Sequence, residues 1–116
     1  MSTFDYHVTM RGADLDPDQI PPSLSGSVTV SSRRGDASNR GTVHEESFIV
    51  VAVGSINEAA SAVRSVRAVQ PDKVDHAECV VGYWFEEQCN LEFSEVELSA
   101  LVAERVSLSI SCYPPA

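Results

Sequence analysis

Apolar and polar residues alternate cleanly over residues 3–11. Phe4, Tyr6, Val8 and Met10 fall on one side, and Asp5, His7, Thr9 and Arg11 on the other. A period of two is that of a half-buried strand. Gly12 and Asp14 break the pattern. Asp16-Pro17-Asp18-Gln19 then has the form of a helix start, with Asp16 as N-cap, Pro17 in the first helical position and Gln19 completing a capping box. Pro21 and Pro22 conflict with a long helix, because a proline ring removes a donor and clashes with the previous turn. A short or irregular helical turn to about Leu24 is expected. Ser27–Ser31, with Val28 and Val30, reads as a short strand. Ser32–Thr42 is polar and rich in Gly, Ser, Asn and Arg, which predicts a mobile loop. Glu46–Val53 is β-branched and apolar on both faces, as a central strand would be.

Ser55 and Glu58 have the spacing of a capping box, and Ile56, Ala59, Ala60, Val63 and Val66 form an apolar stripe at helical spacing that ends before Pro71. Ala77–Glu86 predicts a strand with Cys79, Val81, Tyr83 and Phe85 on one face and Val80, Gly82 and Trp84 on the other. Cys89, Leu91 and Phe93 continue the alternation past a bulge near Glu87. Ser94 and Glu97 form a second capping box, and Phe93 and Leu98 have the spacing of a hydrophobic staple. That helix is expected to run to about Arg105 with Leu98, Leu101 and Val102 inward. In the last strand Val106, Leu108, Ile110 and Cys112 are expected to face the core and Ser107, Ser109 and Ser111 water, with Pro114 and Pro115 ending it. The order β, short helix, β, β, α, β, α, β predicts an α+β fold. It is a single mixed or antiparallel sheet of about five strands, with two main helices packed on one face, as one domain over 1–116.

At 116 residues the chain is long enough to build a core without metal or disulfide. Its 17 acidic and 8 basic side chains give a net charge of −9. Such a surface repels phosphate backbones and anionic lipid, which argues against nucleic-acid and membrane binding, and attracts a basic protein. The three cysteines, Cys79, Cys89 and Cys112, do not suit a disulfide framework and predict reduced thiols in a cytoplasm. The opening MSTFDYHVTM has neither a basic n-region nor an apolar h-region, so no signal peptide is expected.

Several strings occur together: Gly12-Ala13-Asp14-Leu15-Asp16-Pro17 with Ile20 and Leu24; Arg34-Gly35-Asp36; Asn90-Leu91-Glu92-Phe93 followed by Glu97-Leu98 and Leu101; and a serine-alternating strand ending in Cys112-Tyr113. Over nearly the whole chain they resemble the family called domain of unknown function 4279. The resemblance implies an opening strand and a turn into a short helix. It carries no assigned function and no functional residues.

Candidate chemistry is sparse. Asp14, Asp16 and Asp18 have calcium-loop spacing, but the sixth position is Gln19 and the twelfth Ser25, so capping and the helix dipole account for them better. His76-x-x-Cys79 lacks a second pair at zinc-ligand spacing, and all three cysteines sit on expected core positions. No metal and no cofactor are expected. His7 and His44 show no companion nucleophile at local spacing, and no G-x-S-x-G is present. Arg34-Gly35-Asp36 is read as a Gly-Asp turn and not an adhesion signal.

Charge is more informative. Arg33, Arg34 and Arg40 share one loop, while Asp75, Glu78, Glu86, Glu87, Glu92, Glu95, Glu97 and Glu104 lie in an interval between Lys73 and Arg105 that holds no Lys or Arg. Glu86, Glu87, Glu92 and Glu95 would form an acidic patch, with Trp84 as a neighbouring anchor. The expected function is a non-enzymatic protein-binding module, in its sharper form an immunity-type inhibitor of a basic toxin. The alternative is a small-ligand-binding or enzymatic domain with a pocket lined by Trp84, Tyr83, Tyr6 or His7. A third reading is a homodimer through the edge of the last strand.

Overall fold

The computed structural model describes residues 3–38, 41–85 and 91–114. The elements are β1 (Thr3–Gly12), α1 (Pro22–Ser25), β2 (Val28–Ser32), β3 (Ser47–Val53), α2 (Ile56–Val69), β4 (His76–Trp84), α3 (Glu95–Ala103) and β5 (Ser107–Tyr113). They form one mixed sheet in the order β2-β3-β1-β4-β5, the α+β arrangement that the patterning predicts. β1 pairs antiparallel with both β3 and β4, and β2 antiparallel with β3. β4 and β5 are parallel, a pairing that requires a crossover, here through α3.

Register builds the core. Val8 lies between Val51 and Cys79, and Met10 between Ile49 and Ala77. These residues are buried beneath Ile56, Ala59, Ala60, Ala62, Val63 and Val66 of α2. Each fully buried Val or Ile contributes about 1.5–3 kcal/mol. The Ser55 hydroxyl accepts the Glu58 N–H, as a cap should. The Glu58 carboxylate accepts from the Gly54 N–H and not from Ser55, so the box is displaced by one residue. Gly12 is fixed by close approach, since a Cβ there would lie 1.9 Å from the Lys73 carbonyl oxygen.

Several expectations are corrected. Asp16 caps no helix: its carboxylate accepts the Asp18 N–H in a local turn, and the helix begins six residues later at Pro22. The proline pair therefore opens α1, because the first helical position needs no N–H donor. β3 is an interior strand, as expected of its pattern, but it starts at Ser47, and β1 is the middle strand of the five. β4 ends at Trp84, and Phe85 lies beyond it. Cys89 and the expected bulge near Glu87 lie outside the described residues. α3 ends at Ala103 and buries only Leu101, leaving Leu98 and Val102 exposed. Val106, just before β5, and Leu108 on it meet the core, but Ile110 and Cys112 are exposed. Leu108 packs against the core that includes Leu101 of α3, whereas Ile110, further along this edge strand, is 42% exposed.

Candidate functional site

Strand alternation assigns each side chain to one face. The helices cover the face of Val8, Cys79 and Leu108. The opposite face carries Asp5, His7, Thr9 and Arg11 from β1; Phe48, Val50 and Ala52 from β3; Glu78, Val80, Gly82 and Trp84 from β4; and Ser107, Ser109, Ser111 and Tyr113 from β5. Among the described residues only the loop before β3 leans over it, with the His44 ring edge-on to Phe48 at 5.3 Å.

Two features stand out on this uncovered face. At one end the Trp84 and Tyr113 rings stack, with centroids 4.7 Å apart and planes 19° from parallel. Parallel pairing of β4 and β5 sets the two residues opposite each other. Gly82 makes the arrangement possible: a Cβ there would lie 3.1 Å from the Trp84 ring, so the indole lies across the backbone in space that a side chain would fill. Asp5 flanks the same spot, its Cβ 3.6 Å from that position. Both rings remain 43% exposed.

At the other end, Thr9, Arg11, Asp75, His76, Glu78, Arg105 and Ser107 surround a depression of about 470 Å³. Its two guanidinium and two carboxylate groups offset one another. Its serine is engaged, since the Ser107 hydroxyl donates to the Ala77 carbonyl at 3.3 Å. Arg11 also lies over the Phe48 ring, 5.9 Å from its centroid. This is a polar bowl, without the apolar lining and convergent groups of a ligand pocket. The lining expected for a ligand cavity (Trp84, Tyr83, Tyr6, His7) is not assembled, because Tyr83 and Tyr6 point to the helix-covered face and Trp84 and His7 away from it.

The sequence-predicted acidic site is divided in the same way. Trp84 occupies the uncovered face, whereas Glu95 heads α3 on the covered one. Glu92 is exposed in the segment leading to α3, and Glu86 and Glu87 lie outside the described residues. Glu97 closes the second capping box with Ser94. Burial, with Glu97 and Cys79 nearby, raises the Tyr6 pKa. Asp5, Glu92, Glu95 and Glu97 make no ion pair among the described residues. The Arg-rich loop and the aspartate run, in contrast, neutralise each other. Arg33 pairs with Asp16 at 2.9 Å and with Asp18, and Arg34 lies 3.9 Å from Asp14. Among the described residues the ion pairs thus take up Asp14, Asp16, Asp18 and Glu104, and leave Asp5, Glu92, Glu95 and Glu97 outside them.

His76 and Cys79 cannot share a metal, since residues three apart on a strand face opposite sides of the sheet. Burial, together with the neighbouring Glu78 charge, pushes the Cys79 thiol up to about 11, which makes it a poor nucleophile. Arg34-Gly35-Asp36 is a turn: Gly35 has φ +95°, and the Asp36 carboxylate accepts from the Arg33 N–H at 2.9 Å. Sequence reasoning named Trp84 but missed Tyr113 and Asp5. The two-residue step from Gly82 to Trp84 was visible, but a stacking partner twenty-nine residues away depends on parallel register.

No protein-family model, no curated protein and no solved structure matches the chain. Among the described residues no helix is long and apolar enough to cross a membrane.

Proposed function

We propose that this chain is a small, acidic, non-enzymatic protein-binding module of the cytoplasm that docks a basic protein against its uncovered sheet face. In the sharper form of this reading it is an immunity-type inhibitor of a basic toxin. Kinship with the domain of unknown function 4279 family belongs to the same proposal and adds no activity to it. The observation that carries the reading is the exposed Trp84–Tyr113 stack beside Asp5, on a face that no helix among the described residues covers, in a chain of net charge −9. Trp and Tyr are the residues that most often dominate protein interfaces. A stacked pair also offers a broad π face to a lysine or arginine of the partner. Asp5, Glu92 and Glu95, with Glu86 and Glu87 following Trp84 in sequence, would steer that partner in. The same charge disfavours nucleic acid and anionic membrane as partners.

The test is affinity capture from the source cells on the immobilised protein, with Trp84→Ala and Asp5→Lys as comparisons. A basic protein held by the unaltered chain at low salt, released by raised salt and lost with both variants is the expected result. Equal retention by all three chains, or none by any, removes the proposal.

A further inference from the structure

The sheet has two edges, and they are built differently. β2 is short, its pairing is irregular between Val28 and Val30, and it runs straight into Arg33 and Arg34. Bulges, brevity and flanking charge are the usual defences of an edge against another strand. β5 has none of them. Its seven residues Ser107–Tyr113 are uncharged, its pairing to β4 is unbroken, and proline appears only at Pro114, after the strand. Alternate residues of such an edge turn their N–H and C=O groups outward, ready for a partner strand. Exposed apolar side chains lie on β5 and on α3, the helix that contacts it: Ile110 on β5 itself, and Leu98 and Val102 on α3, the last 75% exposed.

We infer that β5 is a homodimer edge, at which two copies of this chain pair antiparallel about a two-fold axis through Ile110. A copy carries the same −9 charge, so two copies can meet closely only across a neutral strip, and β5 is such a strip. Full overlap of a seven-residue strand with its copy places the middle residue, Ile110, opposite itself. It sets Leu108 opposite Cys112, and Ser109 opposite Ser111. The row on the helix-covered side then reads Leu, Ile, Cys across the axis, continuous with the core through Leu108. The two α3 helices flank that row, and Leu98 and Val102 gain neighbours. The product is a ten-stranded sheet whose uncovered faces both keep the Trp84–Tyr113 stack. Dimerisation therefore stands or falls independently of the docking proposal above.

The experiment is light scattering coupled to a sizing column, over a dilution series of the unaltered chain, Ile110→Asp and Val30→Asp. The expected result is a mass twice that of one chain for the unaltered protein and for Val30→Asp, the control on the opposite edge. Ile110→Asp should dissociate with a constant raised at least about a hundredfold, since two like charges meet on the axis. A second measurement guards against misfolding. Ile110→Cys, in a chain with Cys89 and Cys112 changed to Ser, should oxidise to a covalent dimer, because residues opposed on antiparallel strands lie within disulfide reach. A monomer at every concentration overturns the inference, and so does a dimer that Ile110→Asp leaves intact or that Ile110→Cys fails to cross-link.

Discussion

α2 and α3 begin with the same local signal and end in different surroundings. α3 has the fuller cap, with Ser94 and Glu97 satisfying each other's backbone N–H groups. In α2 the reciprocal contact goes to Gly54 instead. Yet α2 buries six side chains, and α3 buries one. A cap decides where a helix starts, because it satisfies N–H groups that have no partner within the helix. It does not decide what the helix covers. α2 lies over the three interior strands, where both neighbours of every core residue are themselves covered. α3 lies beside an edge strand. Its sequence is apolar on more than one side, so Val96, Leu98 and Val102 remain at the surface.

The sharpest way to break this contrast is a pair of truncations. Ile49→Ala removes a fully buried side chain from β3 beneath α2 and should cost about 2–5 kcal/mol in urea unfolding. Val102→Ala on α3 should change stability by no more than about 0.5 kcal/mol. Similar losses from both would show that the α3 side is as well packed as the α2 side. A smaller effect comes next. Gly12→Ala meets the Lys73 backbone in the turn that leads from α2 into β4, and overpacking there should cost about 1–3 kcal/mol. A neutral outcome would mean that this connection yields freely and that the α2 half is less rigid than its burial implies.

How much of this was legible in the sequence follows from the range of each signal. The buried faces of β1, β3, α2 and β4 could be read because strands on the sheet interior and the helix above them are packed all along their length, so the pattern of two or 3.6 is fully used. Ile110, Cys112, Leu98 and Val102 keep the same pattern, and the structure leaves them exposed. Periodicity gives the side of an element, whereas exposure depends on how far the neighbouring layer extends. Nothing local in the sequence encodes that extent. Asp16 and Pro17 have the cap and ring of a helix start, but Asp16 is attached to Gln70 across 54 residues, and the helix opens at Pro22 after an N-cap Pro21 that makes no side-chain cap. Trp84 was picked out as an anchor, but its partner Tyr113 depends on the strand order.

Caps give a finer test. Ser55→Ala should lower global stability by about 1 kcal/mol, because α2 cannot fray without opening the core. Ser94→Ala removes an equivalent contact from a helix whose burial is slight. Its effect should appear mainly as faster amide exchange within residues 95–103, with little change in the global transition. If the two substitutions shift the global transition equally, α3 is coupled to the core as tightly as α2.

The smallest expected effect lies at the polar seam that ties the end of α2 to the first long connection. The buried Gln70 side chain accepts the Asp16 N–H at 2.7 Å and donates to the Asp16 and Gln19 carbonyls at 2.8 and 2.9 Å. The Asp16 carboxylate faces the other way, accepting from the Asp18 N–H and from Arg33. The Asp18 backbone hydrogen bond, and then Arg33, hold its pKa below the usual 3.8. A carboxyl whose folded pKa is depressed stabilises the fold above its unfolded value, and that contribution fades as pH falls through the folded one. Unfolding followed below pH 3.8 should therefore show a downward slope in stability that Asp16→Asn flattens, with the two proteins converging at the acid end. Because the carboxylate is at the surface, added salt should shrink the difference further. An unchanged slope in Asp16→Asn would assign the seam to Gln70 and the backbone alone, and would leave α2's burial as the sole reason that this half of the molecule is the more firmly held.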